Sequence, residues 1–111
     1  MIHLDSPSIS FFCQINKAHF DALYNPVVGV NIMSASFAHD LLRYMPLIPT
    51  TKLLKSLSGH ILLSFGILYV LPTQVKGTKV YLSFYIFDIM EFDLLIGQPI
   101  KNLSKKDNRG N

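Results

Sequence analysis

The stretch ALYNPVVGVNIM, residues 22 to 33, decides how this chain is read. An apolar strand runs into Asn25-Pro26, passes Val27, Val28 and Gly29, and becomes apolar again. The chain turns there, in its most apolar half. Turns in such places are uncommon, because loop backbone groups need water or dedicated partners.

Upstream, Ser8 to Ile15 alternates, with Ile9, Phe11, Cys13 and Ile15 on one face. Asn16-Lys17 is a short turn, and AHFDALY alternates again through Ala18, Phe20, Ala22 and Tyr24. Two period-2 runs around a short turn predict a hairpin. Downstream, Val28 to Met33 reads as extended. Ser34 then caps a short helix with apolar positions Phe37, Ala38, Leu41, Leu42 and Met45, stopped by Pro46 and Pro49. His39, Asp40 and Arg43 fall on its wet side.

The second half reads as strand. TKLLKS leads into a turn at Ser58-Gly59, and HILLSFGILYVL follows, with Gly66 as a bend or bulge and Pro72 as an end or edge. Lys76 to Thr78 turns the chain into KVYLSFYIFDI, apolar on both faces and so covered on both. FDLLIGQPI runs into Gly97, a short helix is expected near Pro99 to Leu103, and the basic tail 104–111 is expected to be disordered. Seven or so short strands with one or two small helices predict an all-β domain, barrel-like or sandwich.

Composition limits the functions available. The chain has 111 residues, the size of one domain, and buries roughly two-thirds of its unfolded surface at best. Half of it is hydrophobic and only 15% is charged, which excludes disorder and leaves apolar surface for a partner chain. The net charge is +3, but the basic residues are scattered, apart from the tail cluster of Lys101, Lys105, Lys106 and Arg109. That argues for a solvated end and no nucleic-acid partner. Cys13 stands alone and reads as a small buried hydrophobe. His3, His19, His39 and His60 lack ligand spacing, so no metal and no cofactor is expected. The start MIHLDSPSI has no basic opening and no long apolar core, so no secretory leader is expected; the run Ile61 to Leu71 is too short to span a membrane, and an intracellular, cytoplasmic setting is expected.

Two segments fit together: an apolar strand entering the turn of LYNPVVGVNIM, and the later apolar run DLLIG. Their order, with a helix and a Gly-tipped hairpin between them, resembles the retropepsin-like aspartic proteases, most closely those of plant gypsy-type long-terminal-repeat retrotransposons. The resemblance covers residues 8–103. It implies an all-β fold of the closed barrel-half kind and a homodimer. SGHILLSFGI is similar to the hairpin that closes over substrate, so Ser58, Gly59, His60 and, on the floor, Gly97 are the implied contacts for an extended peptide.

The same resemblance places the catalytic Asp on Asn25, the following Ser/Thr on Pro26 and the turn Gly on Val27. In the family, two carboxylates meet at the dimer axis and share a proton, because like charges so close cannot both ionise. An amide has no proton to exchange near neutral pH. Pro26 offers no hydroxyl or N–H, and Val27 resists the left-handed backbone Gly allows. A loop of altered shape is therefore expected. Asp5-Ser6-Pro7 mimics the motif but lacks its Gly, Asp21 and Asp40 read as solvated, and Asp93 reads as bracing the closing turn. Three readings follow: a catalytically silent protease-like domain, a working aspartic endopeptidase that processes a polyprotein, and a plain interaction module with residual fold.

Overall fold

The chain's first residues form β1 (Ile2–His3), a strand too short to show a period in the sequence. The computed structural model describes residues 1–4, 9–15, 18–42, 46–75 and 77–98. The expected hairpin follows: β2 (Ile9–Ile15) pairs antiparallel with β3 (Ala18–Tyr24), Cys13 opposite Phe20. After the turn comes β4 (Asn31–Ser34), every residue buried, so the loop is longer and the strand shorter than the extended reading from Val28. The Ser34 hydroxyl accepts the Phe37 N–H at 3.1 Å and starts α1 (Ala35–Leu42), as its sequence position predicts. Ala38 is buried, while His39 and Asp40 are exposed.

Next come β5 (Leu53–Lys55), β6 (Ile61–Leu63), β7 (Gly66–Val75), β8 (Thr78–Phe87) and β9 (Leu94–Ile96). The run 60–71 is not one strand. It breaks at Ser64, whose buried hydroxyl accepts the Gly66 N–H at 3.1 Å and lies 2.9 Å from the Ile86 carbonyl. Gly66 has φ +146°, and a Cβ there would sit 2.7 Å from that of Leu47. The strand also runs through Pro72 instead of ending there. Pro72 lies just past a register shift between Leu68 and Leu71, and among the described residues β2 pairs with β7 from Thr73 onward. Toward β2, Pro72 thus takes an edge position, one of the places where a strand accepts proline.

The strands form a three-stranded sheet, β1-β5-β6, and a six-stranded sheet in the order β2-β3-β9-β4-β8-β7. The larger sheet curls until β7 meets β2 and closes. This is the all-β, barrel-half architecture read from the sequence, with one short helix among the described residues. The turn at Asn16-Lys17, Lys76, the helix near Pro99–Leu103 and the tail 104–111 lie outside the described residues.

Two apolar clusters hold the fold. The first fills the curled sheet, where Cys13, Met33, Leu68, Leu82, Phe84 and Ile86 meet Ala38 of α1. Burial of this kind supplies roughly 25 cal/mol per Å2, so truncating fully buried Phe84 to Ala is expected to cost about 3–5 kcal/mol. The second gathers Leu4, Val28, Ile32, Leu54, Phe87 and Leu95. It joins the small sheet to the turn after β3. The second face of β8 is covered at one end only: Phe87 is buried, Tyr85 half-buried and Tyr81 exposed. No helix among the described residues is long and apolar enough to cross a membrane.

Candidate functional site

The topology brings residues 25–31 against the chain's last described strand. β9 sits between β3 and β4, parallel to the first and antiparallel to the second, so it lies between the two strands that flank the turn. The Asn25 N–H donates to the Ile96 carbonyl at 3.0 Å, and the Gln98 N–H donates to the Val28 carbonyl at 2.8 Å. These bonds answer what satisfies a turn placed in so apolar a region: β9 supplies its partners.

Within the turn, the Asn25 carbonyl accepts the Val28 N–H at 3.1 Å, and its side-chain Oδ1 accepts the Val27 N–H at 3.0 Å. This is a four-residue turn with Asn first and Pro second, capped by its own Asn side chain. Pro26 costs no hydrogen bond there, because the second residue of such a turn donates none. Asn25 and Val28 are buried, whereas Val27 is 75% exposed. Residues 25–28 include no carboxylate, and Asp40, Asp88, Glu91 and Asp93 are all exposed. Asp93 does brace the closing segment, but through its carbonyl, which accepts the Ser34 N–H at 2.9 Å. The side chain of Asp21, together with Asp5-Ser6-Pro7 and Arg43, lies outside the described residues.

Gly97 is required by close approach. A Cβ would meet the carbonyl oxygen of Val28 at 2.5 Å and would also strike that of Val30. Its N–H donates to Asn31 Oδ1 at 2.8 Å, while Asn31 Nδ2 donates to the Ser83 carbonyl at 3.1 Å. Buried Asn31 thus ties the turn, the closing strand and β8 with one amide. Sequence reading missed it. The available signal was an amide inside the apolar run VNIM, in a place where a buried polar group needs partners.

Ser58, Gly59 and His60 fall together on the turn between β5 and β6. Gly59 has φ +92° and donates to the Ser56 carbonyl at 3.0 Å. Ser56 Oγ and Ser58 Oγ are 2.9 Å apart, Ser58 Oγ is 2.9 Å from His60 Nδ1, and the His60 N–H donates to Ser56 Oγ at 3.2 Å. Ser56 was not singled out in the sequence, yet it is the buried hub of this turn. The hairpin, the 25–28 turn and β9 meet through the second apolar cluster, where Leu54 packs with Val28 and Leu95. Among the described residues, no group of three His, Cys, Asp or Glu side chains is arranged to hold a metal.

Comparison with known proteins found no matching family model and no matching curated sequence. Solved structures do match. The retroviral protease-like domain of Ddi1 from Leishmania major aligns with a TM-score of 0.67 at 18% identity, covering 90% of this chain and 77% of that one. The EIAV protease, solved in complex with the inhibitor HBY-793, aligns with a TM-score of 0.69 at 12% identity, covering 90% and 91%. The architecture expected from the LYNPVVGVNIM and DLLIG segments is therefore the one observed, and the fold of this chain is retropepsin-like.

Proposed function

We propose that this chain is an aspartic-protease-like domain of the gypsy-type plant retrotransposon kind that has lost its catalytic proton relay and keeps a groove for an extended peptide. The observation that carries the proposal is the chemistry of the 25–28 turn. It is docked on β9 as a site floor should be, but it presents an amide whose Oδ1 is already committed to the Val27 N–H. An amide can orient a water but cannot take its proton, and general acid–base help of this kind is commonly worth ~10²–10⁴-fold. A second copy of the chain is the proposed partner, meeting the first at exposed Val27. In that dimer the two Asn25 turns face each other, and both lack an acid. The hairpin bearing Ser58, Gly59 and His60 covers the peptide, and Gly97 lies beneath it.

Restoring the motif tests the reading. The triple variant Asn25→Asp, Pro26→Ser, Val27→Gly is expected to cleave an apolar peptide at mildly acidic pH, with inhibition by a statine-type transition-state mimic. A folded, dimeric triple variant with no activity would show that Asn25 is not the position of the lost acid.

A further inference from the structure

We propose that the segment Ile2 to Leu4 occupies the peptide groove of its own chain, standing in for an extended apolar ligand. The inference rests on the groove reading given above and names what fills it. β1 lies parallel to β5, with Ile2 opposite Leu54 and His3 opposite Lys55. The Leu4 N–H continues the ladder to the Lys55 carbonyl at 3.3 Å. β5 is one arm of the hairpin that bears Ser58, Gly59 and His60, so the segment is added to the hairpin as a bound peptide strand would be.

Its side chains alternate as an added strand's do. Ile2 is half-buried, His3 is exposed and Leu4 is only 5% exposed. Leu4 enters the cluster that contains Leu54 from the hairpin, Val28 from the Asn25 turn and Leu95 from the closing strand. One leucine is thus gripped from the hairpin side and the floor side together. A cleft of about 170 Å3 lies between this segment and the hairpin turn, lined by His3, Leu4, Lys55, Ser56, Leu57 and Gly59.

The hold is also weak enough to be exchanged. Among the described residues, β1 has two residues and pairs with one neighbour, at the edge of a three-stranded sheet. Segments with so few contacts open at low free-energy cost. The geometry defines the competing ligand: an extended peptide with a leucine-like side chain at the Leu4 position, a smaller apolar contact two residues earlier, and any residue between them. A tethered segment acts at an effective concentration of order mM, so a free peptide of about 0.1 mM intrinsic affinity is weakened about tenfold.

The test uses the full chain and a fluorescein-labelled peptide of residues 1 to 6, MIHLDS. In the unaltered chain, amide exchange at Leu4 is expected to be slowed, and exchange at the rate of an unstructured peptide would overturn the proposal. Leu4→Asp places a carboxylate in the apolar cluster and should release the segment, so the labelled peptide should bind this variant at least tenfold more tightly than the parent. Should Leu4→Asp fail to fold, the variant Ile2→Cys with Leu54→Cys decides instead. Oxidised, it locks the segment in place and should exclude peptide; reduced, the same chain should bind it. Cys13 will not interfere, since burial raises its thiol pKa to about 11. Equal binding by locked and reduced chains, or by parent and Leu4→Asp, would overturn the stand-in role while leaving the groove reading intact. No binding by any form would sink the groove reading and this inference with it.

Discussion

Gly97→Ala probes the contact on which the whole site is built. The added Cβ would lie 2.5 Å from the Val28 carbonyl oxygen and would strike that of Val30 as well. Both obstacles are main-chain atoms, so no rotamer change relieves them. Either β9 or the 25–30 loop must move, which stretches the bonds from Gln98 to Val28 and from Gly97 to Asn31. Overpacking of this kind costs about 1–3 kcal/mol, and the unyielding backbone places this case at the upper end, about 3 kcal/mol. At about 4 °C per kcal/mol for a domain of this size, the melting temperature should fall by roughly 10 °C. Gly29→Ala is the matched control, since nothing lies within 4 Å of a Cβ there and its φ is not left-handed. That change should be neutral, or stabilise by about 0.4–1 kcal/mol through the unfolded chain. Thermal unfolding of the two variants, followed by circular dichroism, decides the matter. Equal melting temperatures for both would refute the close packing of the turn on β9.

Other changes test separate links. Asn31→Ala strips partners from the Gly97 N–H and the Ser83 carbonyl, and should cost about 2–4 kcal/mol in urea unfolding; a loss below about 1 kcal/mol would mean the amide is not the tie described. Ser34→Ala removes the α1 cap and should cost about 1 kcal/mol by the same assay, with an unchanged midpoint counting against the capping role. Burial lifts the Cys13 thiol from 9.0 to about 11, opposed by a backbone hydrogen bond at Gln14. The folded state therefore holds this proton more tightly than the unfolded chain. Its stabilising effect is complete below about pH 9 and is lost as pH rises through about 11. Relative to Cys13→Ala, the parent should lose stability across that window and not below it.

The parts of the fold with a clear period were legible in the sequence. Alternation through Ile15 and the long apolar run KVYLSFYIFDI mark strands, Ser34 marks the helix start, and Ser58-Gly59 marks the hairpin turn, because each signal is local. β1 was not legible, since two residues carry no period and their meaning comes from Leu54, far along the chain. The closure of β7 on β2 and the placing of β9 between β3 and β4 depend on long-range register, which alternation does not encode. Asn31 illustrates the same limit within the site. Its type signals a need for partners, but the partners, Ser83 and Gly97, are 52 and 66 residues away. Pro72 left two readings open, an end or an edge, for a related reason: whether a strand tolerates proline depends on which neighbour needs its N–H, and the described β2–β7 pairing starts one residue later.

The proposed function makes the 25–28 turn a site floor that carries the Asn25 amide in place of an acid. The most direct measurement is peptide hydrolysis by the purified, unaltered chain from pH 4 to 7, with and without a transition-state-mimicking aspartic-protease inhibitor. No inhibitor-sensitive turnover is expected at any pH in that range. Inhibitor-sensitive cleavage with a bell-shaped pH profile would contradict it, because such a profile requires a titrating acid and base that Asn25 cannot provide.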